Sequence, residues 1–70
     1  MDATLSIKVN GERRRVPEGI TIADLARALG LEAARVAVER NREIVPRSTL
    51  AEVAVAEGDD YEIVTFVGGG

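Results

Sequence analysis

Apolar and polar residues alternate with period two over Leu5, Ser6, Ile7, Lys8 and Val9, which predicts a half-buried strand with Leu5, Ile7 and Val9 facing inward. Asn10-Gly11 follows, and both residues tolerate the positive φ that a two-residue hairpin turn demands. Arg13, Arg14, Arg15 and Val16 are therefore expected to return as a second strand, stopped by the turn chemistry of Pro17-Glu18-Gly19. At Thr21-Ile22-Ala23-Asp24 the period becomes helical. This run has the form of a capping box, with the Thr21 hydroxyl able to accept a first-turn N–H and Asp24 placed near the positive end of the helix. Ile22, Leu25, Ala26 and Leu29 form one apolar stripe, and Gly30 stands where a helix stop is expected.

Beyond Gly30 the signals conflict. Leu31 to Arg35 favours helix by propensity, whereas Val36-Ala37-Val38 reads as strand with Val36 and Val38 inward; a strand over residues 35–40 is the expectation. Asn41-Arg42 turns the chain, Ile44-Val45 is a short strand, and Pro46 ends or edges it. Thr49-Leu50-Ala51-Glu52 predicts a second capping box opening a one-turn helix. Gly58-Asp59-Asp60 predicts a turn and residues 61–67 the final strand. These elements are too few for a doubly wound α/β protein. They suit the α+β class, with one main helix packed across a mixed sheet of four to five strands, the layout of the β-grasp or ubiquitin-like fold.

The 70 residues bound the chain to one domain, expected over residues 1–66, with 67–70 as a flexible glycine tail. Cysteine and histidine are both absent. That removes disulfides, the usual zinc ligands, and Ser-His-Asp or Cys-His machinery, and it argues against an enzyme acting through its own side chains. A net charge of -3 disfavours nucleic acid and suits a basic docking surface on a protein partner. Apolar runs such as Val53-Ala54-Val55-Ala56 are too short to cross a membrane, and Asp2 and Lys8 interrupt any signal peptide, so a cytoplasmic location is expected. Glu57, Asp59, Asp60 and Glu62 lack a fixed ligand frame and read as solvated turn carboxylates, with no metal. Arg13, Arg14 and Arg15 read as ordinary exposed arginines.

The chain closes on Val67-Gly68-Gly69-Gly70. Glycine has no Cβ, so such a tail is slim enough to enter a channel that a side chain would block; a linker stub has the same composition. Extended, residues 67–70 reach about 13 to 14 Å. Phe66 and Val67 lie beside the tail and are candidate partner contacts. A core role for Phe66 or its neighbour Val64 fits the strand pattern equally well.

The order and spacing of several segments carry a family resemblance over nearly the whole chain. They are Val9-Asn10-Gly11, Gly19-Ile20-Thr21-Ile22-Ala23-Asp24-Leu25, Val36-Ala37-Val38-Glu39-Arg40-Asn41, Ile44-Val45-Pro46-Arg47-Ser48, Gly58-Asp59 and the glycine end. The chain resembles the ThiS-like sulfur-carrier proteins of thiamine biosynthesis, in the ubiquitin-like ThiS/MoaD superfamily. One departure is Leu50, where such carriers often have an aromatic residue, a matter of packing and not of the terminus.

The resemblance implies a protein co-substrate, not an enzyme. A ThiF-like adenylating enzyme would activate the Gly70 carboxylate with ATP, a sulfur-donating enzyme would supply sulfur, and a ThiG-like thiazole synthase would accept it from the thiocarboxylate. The carrier itself would bind no cofactor. Gly69 and Gly68 would serve tail recognition, with Gly68, where relatives commonly tolerate another small residue, acting mainly as a spacer. Two related readings share the fold and the glycine end: a MoaD-like small subunit of molybdopterin synthase, and a ubiquitin-like modifier that forms an isopeptide bond. The Ile44-Val45-Pro46-Arg47 run favours the thiamine branch. A binding module with an irrelevant tail is the remaining alternative.

Overall fold

A computed structural model describes residues 3–66; residues 1, 2 and 67–70, and with them Val67, Gly68, Gly69 and Gly70, lie outside the described residues. Strands β1 (Thr4–Val9) and β2 (Glu12–Pro17) pair antiparallel, with Leu5 opposite Val16 and Val9 opposite Glu12. Asn10 and Gly11 take φ of 52° and 84°, the left-handed pair that lets two residues close a right-twisted hairpin.

Helix α1 (Ile22–Ala28) begins at the expected cap: Asp24 N–H donates to Thr21 Oγ1 at 3.1 Å, and Thr21 N–H donates back to Asp24 Oδ2 at 3.0 Å. The other first-turn donors are also satisfied, Ile22 N–H by the Val53 carbonyl and Ala23 N–H by that of Leu50. At the far end Gly30 (φ 80°) donates to the Arg27 carbonyl and Leu31 to that of Ala26, the paired bonds of a Schellman stop.

The ambiguous stretch resolves into a 3-10 turn at Ala33–Arg35 followed by β3 (Val36–Arg40), one residue later than expected. β4 (Glu43–Val45) returns antiparallel to β3. The second capping box does not form. A 3-10 turn occupies Arg47–Thr49, and the Thr49 hydroxyl donates backward to the Pro46 carbonyl at 2.8 Å instead of accepting from a new helix. Pro46, with its fixed φ of -57°, starts that turn three residues early and leaves Thr49 at its end.

β5 (Asp60–Thr65) begins one residue earlier than expected and ends before Phe66, and it runs through the middle of the sheet, whose order is β2-β1-β5-β3-β4. It lies parallel to β1 and antiparallel to β3, so the described residues form a five-stranded mixed sheet. Ile7, Val9, Val16, Val36, Val38, Tyr61 and Ile63 face α1, where they meet Ile22 and Leu25, with Leu50 and Val55 closing the side. Leu50 is fully buried, so the departure at this position is accommodated within the core.

Candidate functional site

The residue that leads into the tail is anchored by its main chain. Phe66 N–H donates to the Arg35 carbonyl at 2.9 Å, one step beyond the last β3–β5 register pair, Val36 with Thr65. The Phe66 ring is 47% exposed and carries the Arg47 guanidinium 4.9 Å from its centroid. Arg47, in the Ile-Val-Pro-Arg run, thus packs against the root of the tail. Such a stack is worth about 0.5–1 kcal/mol at an exposed site, enough to bias the ring's orientation.

Neither Phe66 nor Val64 fills the core. Positions 64 and 66 have the same parity as Glu62, so they share its outward face, while Tyr61 and Ile63 point inward. Val64 is 59% exposed and Ile44 80% exposed. On the neighbouring strands Ala37 sits opposite Val64, and Ile44 opposite Glu39. Ala37, Ile44 and Val64 therefore line a shallow apolar hollow on the open side of the sheet, with Phe66 two residues further along β5. Ile44 was not singled out by its sequence context; the parity of the short β4 strand, in which Val45 turns inward, is the signal that marks it.

The carboxylates before and within β5 separate into two kinds. Asp59 is buried, contrary to its reading as a solvated turn residue. Its Oδ2 accepts from Tyr61 Oη at 2.7 Å and from Ala56 N–H at 2.9 Å, its Oδ1 accepts from Asn41 Nδ2 at 3.2 Å, and Arg40 Nε lies 3.9 Å away. Desolvation first, and then the bond to Asp59, push the Tyr61 phenol above its ordinary range. Glu57 accepts from Ser6 N–H at 3.0 Å. Asp60 and Glu62 remain exposed. Among the described residues no group of three or more acidic, His or Cys side chains is placed to hold a metal ion. No helix there is long and apolar enough to cross a membrane.

Arg13, Arg14 and Arg15 are all exposed on the edge strand β2, and Arg15 donates to Thr4 Oγ1 at 2.9 Å. The geometry thus joins Phe66 to Val64, Ile44 and Arg47, and separates them from the arginine run at the other edge of the sheet.

The ThiS family model matches residues 7–70. The chain belongs to the ThiS family. Its ThiS-family relatives include the sulfur carrier protein ThiS of Bacillus subtilis, 48% identical over 50 residues that make up 71% of this chain and 76% of that protein. The crystal structure of a thiamine biosynthesis protein (ThiS) from Geobacter metallireducens superposes with a TM-score of 0.77 at 33% identity, covering 94% of this chain and all of that one. The agreement extends to the β-grasp architecture, with its five-stranded mixed sheet and single main helix. A thiazole synthase of Paramagnetospirillum magneticum is 48% identical over 66 residues, or 94% of this chain. This chain spans only 20% of that enzyme's length.

Proposed function

We propose that this chain is a sulfur carrier of thiamine biosynthesis whose working group is the main-chain carboxylate of Gly70. The observation that supports it most strongly is the ThiS-family match, which runs through the glycines to residue 70. At neutral pH an α-carboxylate is ionised and a poor electrophile. A carboxylate oxygen attacks the α-phosphorus of ATP on a ThiF-like enzyme, and pyrophosphate leaves. The acyl carbon then carries AMP as a good leaving group. Sulfide-level sulfur, delivered as hydrosulfide, attacks the acyl carbon and expels AMP; loss of a proton leaves a terminal thiocarboxylate, which passes its sulfur to a thiazole synthase.

The family relation to thiazole synthases supports the last step, since a domain resembling this chain makes up part of such an enzyme. The open face of the sheet supplies a docking surface on this reading. Phe66, Val64 and Ile44 offer apolar contact while Gly68, Gly69 and Gly70 enter the partner's active site. Val67 lies between the docking face and those glycines.

Incubation of the chain with ATP, the adenylating enzyme and a sulfide source, followed by intact mass measurement, tests the proposal. The expected product has one oxygen exchanged for sulfur. Absence of any acyl-adenylate or thiocarboxylate with either a thiamine or a molybdopterin activating enzyme overturns the carrier reading, and conjugates on substrate lysines would instead identify a protein modifier.

A further inference from the structure

Asn10 does two things at once. As the first residue of the turn between β1 and β2 it holds a left-handed φ of 52°, ahead of Gly11 at 84°. Its side chain meanwhile crosses to β5, where Nδ2 donates to the Ile63 carbonyl at 3.0 Å and Oδ1 accepts from Ile63 N–H at 2.9 Å. The carboxamide thus pairs with Ile63 as the peptide group of a neighbouring strand would.

β1 itself meets β5 only at Lys8 with Asp60 and Val9 with Tyr61, and Asn10 N–H adds a bond to the Tyr61 carbonyl at 2.8 Å. There the main chain turns away, so the Asn10 side chain supplies the next rung on that edge of β5. β3 covers the opposite edge as far as Thr65. Ile63 is buried, so losing the clamp would leave its N–H and carbonyl poorly solvated, at a cost in stability.

An asparagine followed by glycine carries a latent reaction. The Gly11 amide nitrogen, once deprotonated, attacks Asn10 Cγ and closes a five-membered succinimide; the Cγ–Nδ2 bond breaks, and that nitrogen takes a proton from water and leaves as ammonia. Water then adds to either ring carbonyl and opens the ring to aspartate or isoaspartate. Glycine favours the attack because it has no Cβ, and a Cβ built at Gly11 would meet nothing within 4 Å, so the turn is open to water. The chain holds one other asparagine, Asn41, and no glutamine. Asn41 precedes Arg42, whose side chain hinders the same attack. In the native turn both polar atoms of the Asn10 carboxamide are held on Ile63, which keeps Cγ from swinging onto the Gly11 nitrogen.

We infer that Asn10 is the deamidation site of this chain, kept silent in the native fold by its clamp on β5, and that conversion to aspartate or isoaspartate unlocks the strand leading to Phe66. In the aspartate form one carboxylate oxygen still accepts from Ile63 N–H, while the other replaces the donor and faces the Ile63 carbonyl, acceptor against acceptor. In the isoaspartate form the main chain runs through the former side chain, and the clamp is lost outright. The device is independent of the carrier chemistry.

The full chain is incubated at neutral pH across a urea series, and Asn10 and Asn41 are followed by peptide mass spectrometry and ion exchange, which resolve aspartate from isoaspartate. In fully denaturing urea Asn10 should convert well ahead of Asn41. In buffer its rate should be at least about tenfold lower and should stay flat with urea up to the unfolding transition, because the clamp opens locally. Equal rates in folded and unfolded chain, earlier loss at Asn41, or a rate that climbs log-linearly with urea from the outset, as global unfolding requires, each overturn the inference. Amide exchange tests the unlocking. Relative to the Val38 amide on β3, Ile63 N–H should exchange about tenfold faster in Asn10→Asp, and also in Asn10→Gly, which keeps the left-handed turn but removes the clamp. Ile63 exchange that merely tracks Val38 in both variants overturns the unlocking.

Discussion

The Tyr61 hydroxyl donates to Asp59 Oδ2 at 2.7 Å across a buried contact, joining the loop before β5 to the centre of the core. Asp59 accepts two further hydrogen bonds, from Ala56 and Asn41, and pairs with Arg40 Nε at 3.9 Å. The entry of the central strand is therefore held by one carboxylate. Tyr61→Phe removes a charge-assisted bond but leaves Asp59 with its other partners, so it should cost about 1–2 kcal/mol in urea unfolding.

The same contact sets an alkaline limit. Because the folded state holds the Tyr61 phenol above its ordinary value near 10, its contribution is fully present below pH 10. Above that pH the unfolded chain loses the proton while the native chain keeps it, so stability falls by up to about 1.4 kcal/mol per pH unit. Tyr61→Phe should abolish that slope. Tyr61 is the only tyrosine, so phenolate absorbance should appear together with unfolding and not before it.

The helix cap gives the opposite pH limb. Hydrogen bonding from the Thr21 backbone, then from its hydroxyl, holds Asp24 below its usual value, with Arg27 adding a smaller effect. That stabilisation is present above the unfolded carboxylate value and is lost as pH falls through the native one. Thr21→Ala should cost about 1 kcal/mol at neutral pH. It should also flatten the acid limb, as measured by unfolding at a series of pH values.

Ile44 and Phe66 can be tested as contacts without disturbing the core. Ile44→Ser and Phe66→Ala should each change stability by about 1 kcal/mol or less, because both side chains are exposed. On the docking reading each should raise KM for the adenylating enzyme about tenfold and leave kcat unchanged. Loss of kcat alone would argue that these residues act in the chemical step.

At the tail, Gly69→Ala and Gly70→Ala should leave unfolding curves unaltered and lower the rate of thiocarboxylate formation about a hundredfold, as expected when a reacting group is displaced by an added methyl. Normal yields from both variants would sink the idea that a narrow channel reads the tail.

Local signals carried far in this chain. The Asn10-Gly11 turn, the Thr21 cap and the Gly30 stop are each specified by residues within one turn of one another, and all three form as expected. Thr49 misled because an equally local competitor, Pro46, begins a different turn just upstream. At the candidate site, the glycines and Phe66 were legible as residues. Their setting was not, because Ile44, Val64, Glu39 and Arg47 come from different segments and meet only when the sheet assembles.

The sequence by itself determined the first hairpin, the start and stop of the main helix, the lack of His and Cys side chains, and the family. Periodicity and capping depend on near neighbours, so they can be read along the chain. Tertiary structure alone decided that β5 inserts between β1 and β3, parallel to the first. It likewise buried Asp59 beneath Tyr61 and set Glu39 against Glu62. These depend on register between strands distant in the chain, where a shift of one residue exchanges the buried and exposed faces.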